Sequence, residues 1–152
     1  MSIPEDPQTR STAAALGYGG LIPFVSLAAA LLVDHARTVP WSHALFSYAA
    51  LILSFVGALH WAFAMALPGM DGSHRSRLLN WSVIPALIAW VALLLSPAAA
   101  SVLLISGFVL HFLQDRRLGS SSALPPWYLP MRLRLTLVAS VCIGIGGLVG
   151  RY

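Results

Sequence analysis

Long apolar runs separated by short polar connections dominate this chain. A helix that crosses a bilayer needs about 20 apolar residues, with about 17 as the lower limit. The stretch from residue 80 to residue 113 has no charged residue, and Ser96-Pro97 is its internal breaker, which predicts a tight helical hairpin. The runs are continuously apolar, so they predict helices and not the alternating strands of a barrel. The predicted spans are about 11–33, 43–67, 80–95, 98–113 and 131–150.

Composition supports a membrane protein. Of the 152 residues, 58% are hydrophobic and only 9% are charged, whereas soluble domains carry about 25% charged residues. The predicted fold class is therefore an all-α membrane protein, a bundle of five transmembrane helices. It forms one transmembrane domain over 11–152, after a short polar tail at 1–10.

Charge indicates orientation and not a nucleic-acid partner. All nine basic residues are arginines, and they lie in short connections between apolar runs, so we reject nucleic-acid binding and expect the lipid bilayer as the partner. Seven arginines fall on one side and two on the other, which predicts a cytoplasmic N-terminus and a periplasmic C-terminus in a bacterial inner membrane. The seven are Arg10, Arg75, Arg77, Arg116, Arg117, Arg132 and Arg134, and the two are Arg37 and Arg151.

Two pairs of spans share a sequence pattern. LIPFVSLAAALLV in the first span is similar to VIPALIAWVALLL in the third, and Leu59-His60-Trp61 in the second is similar to Leu110-His111-Phe112 in the fourth. A duplication would relate spans 1–2 to spans 3–4 as a parallel repeat about an axis along the membrane normal. Coincidence in a chain rich in leucine and alanine is the alternative.

The two intramembrane histidines, His60 and His111, form the candidate polar site. An ionisable group inside a membrane suggests function, and histidine can exchange a proton near neutral pH. The alternative is structural: a neutral imidazole can bond a neighbouring helix, a contact worth about 0.6 to 2 kcal/mol. HExxH and CxxC motifs are absent and Cys142 is the single cysteine, so we expect no metal and no other cofactor.

Pro23 and Pro85 predict helix kinks. Each proline removes one helix hydrogen bond and would release the carbonyl of Gly19 or Trp81, respectively. Such a carbonyl could serve as a binding position, but a static kink that helps packing is the favoured interpretation of both prolines.

Arginines near the predicted inner ends of the spans are the third candidate feature. They could contact anionic headgroups, or they could be solvated topology determinants. Arg132, beside Tyr128, is expected to anchor a helix end at the interface, and Asp115 is assigned with all other acidic residues to segments outside the spans. The candidate headgroup contacts are Arg75, Arg77, Arg116 and Arg117.

Several strings resemble a known family. YAALILSFVGALHWAFAM, NWSVIPALIAWVALLL, LIPF and the FLQDRR connection followed by PPWYLPMRLRLTLV together resemble the family called domain of unknown function 3429, over roughly Gly17 to Cys142. The resemblance implies a multi-span inner-membrane protein of bacteria and mitochondria. It supplies no catalytic residues. His60 stands where the family pattern has a small residue, which argues against a family-wide reaction at that histidine.

The leading functional expectation is a small accessory or structural component of membrane complexes, without catalytic activity. The family's bacterial and mitochondrial distribution suggests respiratory or quinone-linked complexes as partners. The alternative is a small proton-coupled transporter or channel that uses His60 and His111. A lipid enzyme ranks third because no nucleophile or acid-base pair is evident. Contact of these histidines with a cavity open to the inner side would favour transport, whereas histidines buried against helix backbones or facing lipid would count against it.

Overall fold

The computed structural model describes residues 7–67, 69–121 and 124–151. No strand occurs among these residues, which confirms the predicted all-α fold class. A short 3-10 turn, His35–Arg37, precedes the third helix. Residues 1–6 of the predicted polar tail at 1–10 lie outside the described residues. Residues 7–10 of that tail are helical. The helices are α1 Pro7–Gly19, α2 Leu21–Val33, α3 Thr38–Ala66, α4 Gly72–Ala92, α5 Pro97–Ser121 and α6 Tyr128–Val149.

Four helical segments of the described chain are long and apolar enough to cross a membrane. They make the protein a multi-pass membrane protein. The third predicted span corresponds to α4, which packs along α3. Unlike the four segments, α4 is not apolar enough over its length to count as a membrane span. His74, Arg75 and Arg77 in its first turns account for this difference. The four segments are Pro7–Val33, His35–Ala66, Pro97–Gly119 and Tyr128–Val149.

The first span is interrupted at Gly20, between α1 and α2. The Tyr48 hydroxyl of α3 donates a hydrogen bond to the Gly20 carbonyl at 2.8 Å. Pro23 is the third residue of α2, and its missing N–H is one that the first turn of a helix leaves unbonded in any case. The interruption thus precedes the proline and is tied to α3 by a side chain.

Pro85 lies inside α4, buried against Gly57 of α3. A Cβ atom added at Gly57 would lie 2.9 Å from both Cβ and Cγ of Pro85. Only glycine permits this approach, since real Cβ atoms do not come so close to another side chain. The structure therefore gives Pro85 a packing partner, while a kink at this proline and the parallel repeat of spans 1–2 and 3–4 stay predictions.

The main core is apolar and draws on α2 to α6. Leu51, Met65 and Leu94 are among the large apolar side chains that face outward, each 68% exposed. Such an apolar exterior matches lipid tails and would be a liability in water. The core includes Phe24, Leu31, Phe46, Leu53, Ala89, Leu104 and Ile143.

The start of α4 is capped by Asp71. Its carboxylate accepts a hydrogen bond from the backbone N–H of His74 at 2.6 Å and a second from the Ser73 hydroxyl at 3.1 Å. These bonds stabilise the charged carboxylate and lower the pKa of Asp71 below its ordinary value of 3.8. The cap fixes where α4 begins after the connection from α3.

Candidate functional site: a buried polar cluster

Four ionisable side chains from three helices meet in the protein interior. His60 comes from α3, His111 and Asp115 from α5, and Arg132 from α6. The exposed fraction is zero for the first three and 5% for Arg132. His111 and Asp115 share one face of α5 because they are four residues apart. We refer to His60, His111, Asp115 and Arg132 as the polar cluster.

An ion pair forms the centre of the polar cluster. The Nε atom of Arg132 donates to Oδ2 of Asp115 at 2.8 Å, the length of a charge-assisted hydrogen bond. A buried charge without a partner is strongly unfavourable, so each of these side chains compensates the buried charge of the other. The pair also joins α5 to α6 at the ends where the two helices are linked along the chain.

The second carboxylate oxygen faces both histidines. Oδ1 of Asp115 lies 3.7 Å from Nε2 of His60 and 3.7 Å from Nε2 of His111. The two imidazole rings contact each other edge to face, with centroids 4.7 Å apart and planes at 72°. The carboxylate is therefore shared between two rings rather than committed to one.

Trp81 of α4 fixes the protonation of one ring. Its indole Nε1–H donates to Nδ1 of His111 at 3.2 Å, and the two rings stack with centroids 6.5 Å apart. Indole is a donor only, so the accepting Nδ1 carries no proton. This bond assigns His111 the neutral form with its proton on Nε2, the atom that faces Asp115.

Several polar atoms of the polar cluster lack a hydrogen-bond partner among the described residues. They are Nδ1 and Nε2 of His60, Nε2 of His111 and Oδ1 of Asp115. Native proteins pair most buried polar atoms, so a group of unpaired ones needs an explanation. Three of them, Nε2 of each histidine and Oδ1 of Asp115, face one another at 3.7 Å, slightly longer than a hydrogen bond.

His60, His111 and Asp115 could also hold a metal ion. One ligand atom from each lies within 4.8 Å of the others, and two imidazoles with one carboxylate form a known zinc ligand set. However, a metal-ligating histidine usually donates its other ring N–H to an acceptor. In His111 that other nitrogen accepts a hydrogen bond from Trp81, so the residues fit proton sharing better than a metal, and the expectation of no metal stays a prediction.

A cavity of about 300 Å³ adjoins the polar cluster. Its walls are mainly apolar side chains of α1, α2, α3, α5 and α6. The polar part of its lining comes from Tyr128, Arg132 and Thr136, all at one side of α6. Arg132 therefore contacts both the cavity and the buried carboxylate.

The structure brings His60 and His111 into contact but corrects the placement of two other residues. Asp115 was expected outside the spans and Arg132 at the interface. Both are buried, because α5 continues to Ser121 and α6 already begins at Tyr128. The four-residue spacing of His111 and Asp115 was the sequence signal that could have found this carboxylate. No comparable signal identified Arg132.

The candidate headgroup arginines are all exposed. Arg77 and Arg117 line a groove of about 320 Å³ between the start of α4 and the end of α5, together with His74 and Gln114. The other two, Arg75 and Arg116, do not line this groove. Arg117 also donates to the Gln114 side chain at 3.3 Å, and a role in headgroup binding stays a prediction.

The chain is similar to known proteins over nearly its whole length. Residues 9–148 match the family described as protein of unknown function (DUF3429). Over 138 residues, 88% of this chain, it is 35% identical to Transmembrane protein 69 of Xenopus tropicalis. The chain spans about half of that relative, 52% of its length. No solved structure matches. By the extent of the family match and this identity, the chain belongs to the DUF3429 family.

Proposed function

We propose that this membrane protein takes up and releases a proton at the polar cluster and acts as a small proton-conducting channel. The observation that carries the proposal is the position of Asp115 Oδ1, 3.7 Å from Nε2 of both His60 and His111. A movement of either ring by about 1 Å would make a hydrogen bond to this oxygen. The carboxylate can then receive a proton from one ring and pass it to the other.

The charges support this function. Arg132 compensates Asp115 at 2.8 Å, and the bond from Trp81 keeps His111 neutral. His60 has both ring nitrogens unpartnered among the described residues, and Asp115 Oδ1, 3.7 Å from its Nε2, is the acceptor that would stabilise an additional proton on this ring. Protonation would change the net charge of a buried site by one unit. A change of that size in a low-dielectric interior can drive a shift of the surrounding helices.

The setting that we propose is the bacterial inner membrane, with the N-terminus cytoplasmic and the C-terminus periplasmic. The arginine distribution along the sequence supports this orientation. Asp115 then belongs to the cytoplasmic half of α5, because the arginine-rich end of that helix would face the cytoplasm. We propose no catalytic step at this site.

Proton flux in proteoliposomes tests the proposal. Purified protein is reconstituted with an internal pH-sensitive dye, and a potassium diffusion potential drives protons inward. We expect a flux above that of empty liposomes, reduced at least tenfold in Asp115→Asn and His60→Gln. His43→Gln is the matched control: His43 is also on α3 but is exposed and outside the polar cluster.

Size-exclusion profiles of each variant separate loss of flux from loss of folding. A wild-type flux equal to that of empty liposomes would contradict the proposal. A flux that Asp115→Asn and His60→Gln leave unchanged would contradict it as well. If Asp115→Asn does not fold, His60→Gln decides, since it leaves the ion pair between Asp115 and Arg132 in place.

A second candidate is the accessory or structural role in a membrane complex. The observation that favours it is that side-chain contacts of the polar cluster and Trp81 join α3, α4, α5 and α6. Such a cross-link would make the bundle a rigid platform for a partner subunit. Purification from native membranes in mild detergent tests this role, with respiratory or quinone-linked subunits as the expected partners. Recovery of the chain without any other subunit would count against it.

A further inference from the structure

The groove between the start of α4 and the end of α5 has a volume of about 320 Å³. Each helix contributes three residues to it with the same spacing, i, i+3 and i+4, and this spacing places them on one helix face. The two faces therefore oppose each other across the groove. The lining residues are His74, Arg77 and Leu78 from α4 and Gln114, Arg117 and Leu118 from α5.

The groove has an apolar floor and a cationic rim. Leu78 and Leu118 are 4% and 2% exposed and belong to one small core, whereas Arg77 and Arg117 are exposed. The Arg117 guanidinium donates to the side-chain carbonyl of Gln114 at 3.3 Å, so Gln114 can offer its NH2 group to a ligand. The polar groups of the lining can all donate hydrogen bonds, which suits an anion.

The charge of the groove is positive. Arg77 and Arg117 stay protonated at physiological pH, and no acidic side chain among the described residues lines the groove. Asp71 uses its carboxylate to cap α4, and Asp115 of α5 pairs with Arg132. The two groove arginines repel each other across the opening, and an anion between them would replace this repulsion with attraction.

The exposed surface next to the rim is apolar on both helices. Leu110 and Leu113 precede Arg117 by seven and four residues and lie on the same face of α5. Ile84 follows Arg77 by seven residues on α4, and all three apolar side chains are exposed. In a membrane they contact lipid tails. The rim then lies where the tails end, which is the level of the phosphate group in a phospholipid.

We propose that this groove binds the phosphate group of an anionic phospholipid headgroup. Arg77 and Arg117 bind phosphate oxygens from opposite sides, since a guanidinium group matches phosphate in a bidentate geometry. His74 and Gln114 donate to the remaining oxygens. A volume of about 320 Å³ is at the lower end for ligand pockets and suits a headgroup whose tails lie outside. This site is separate from the polar cluster and does not depend on proton conduction.

Lipid binding to the delipidated protein tests the site. Native mass spectrometry in detergent counts bound phosphatidylglycerol or phosphatidylcholine at increasing lipid concentrations. We expect one phosphatidylglycerol per chain to bind about tenfold more tightly than phosphatidylcholine, whose headgroup has no net charge. Arg77→Gln and Arg117→Gln should each weaken phosphatidylglycerol binding about five- to tenfold, and the variant with both changes should bind the two lipids equally.

The double variant Arg75→Gln with Arg116→Gln is the matched control. It removes one positive charge from each of the same two helices, but Arg75 and Arg116 do not line the groove. It should keep the wild-type affinity for phosphatidylglycerol. All four arginines are exposed, so each variant should elute as wild type in size-exclusion chromatography.

Glycerol phosphate separates the two sources of a phosphate group. It has the same phosphate but no tails, so we expect it not to displace phosphatidylglycerol at equal concentration. Displacement would assign the groove to a soluble phosphate compound and overturn the lipid. Equal wild-type affinity for the two lipids would overturn the phosphate site itself. An equal loss in the two double variants would do the same, because it would reduce the effect to general surface charge. Proton flux is not measured in this assay, so lipid binding and proton conduction can each fail without the other.

Discussion

The indole N–H of Trp81 donates to Nδ1 of His111 at 3.2 Å, and this bond determines how the polar cluster is protonated. It connects α4 to α5 and directs the remaining imidazole proton toward Asp115. A tryptophan outside the polar cluster thus sets the state of a histidine inside it. Partners of this kind, which orient a ring without touching a reacting group, are common around functional histidines.

Trp81→Phe should release His111 from this constraint. Phenylalanine keeps an aromatic ring beside the imidazole but offers no donor, so His111 can place its proton on either nitrogen. We expect nitrogen NMR of histidine-labelled protein to show a mixture of tautomers for His111, where the His111 signal of wild type shows the Nε2–H form alone. The loss of one hydrogen bond should also lower the free energy of unfolding by about 1 kcal/mol.

Trp90→Phe is the control for this experiment, since Trp90 lies on the same helix and is 62% exposed. It should leave the histidine spectrum as in wild type. A wild-type tautomer that persists in Trp81→Phe would show that another group fixes His111.

Removing one member of the ion pair should destabilise the bundle strongly. Arg132→Met leaves the carboxylate of Asp115 buried without its cation, which costs about 3–5 kcal/mol in comparable sites. The double variant Asp115→Leu with Arg132→Met removes both charges and should recover much of this loss. Dodecyl sulfate titration of the protein in bicelles measures the free energy of unfolding of the single and the double variant. Additive losses in the double variant would mean that the two side chains do not depend on each other.

Apolar patterning made the fold class predictable from the sequence. Of the polar cluster, the sequence identified only the two histidines. Continuous apolar runs specify membrane helices with little ambiguity, and His60 and His111 stood out because they interrupt such runs. The ends of the runs did not mark the ends of the helices. α5 continues eight residues beyond the predicted boundary at 113, to Ser121.

Asp115 was misplaced for that reason. A charged residue at the edge of an apolar run looks solvated, since hydropathy averages over a window and ignores tertiary partners. Its burial depends on Arg132, which comes from another helix. Pairing of two charges across helices is a long-range property that the local pattern does not contain. The cavity likewise depends on how five helices pack, so only the structure could reveal it.

Zinc should not bind stoichiometrically at the polar cluster. Binding through His111 would require Nε2 to lose the proton that the Trp81 bond places there. We therefore expect less than a tenth of an equivalent of zinc per chain after purification with added zinc, measured by elemental analysis. His60→Gln serves as the control and should give the same background. One equivalent in wild type that disappears in His60→Gln would show that the site is a metal centre.

The close contact of α3 with α4 should be sensitive to a single methyl group. A Cβ atom at Gly57 would lie 2.9 Å from two ring carbons of Pro85 and 3.1 Å from the Ser82 carbonyl. Neither the ring nor the backbone can move aside as a flexible side chain could. Gly57→Ala should therefore lower the free energy of unfolding by about 1–3 kcal/mol, the usual cost of overpacking.

Gly144→Ala supplies the matched comparison for Gly57→Ala because it makes the same change in a helix with room for the methyl group. The nearest atom to a Cβ there is Cδ1 of Ile105 at 4.0 Å, an ordinary contact. Alanine is the better helix former by about 0.5–1 kcal/mol, so Gly144→Ala should be neutral or stabilising in the same dodecyl sulfate titration. Equal stability of the two variants would mean that α4 can move away from α3.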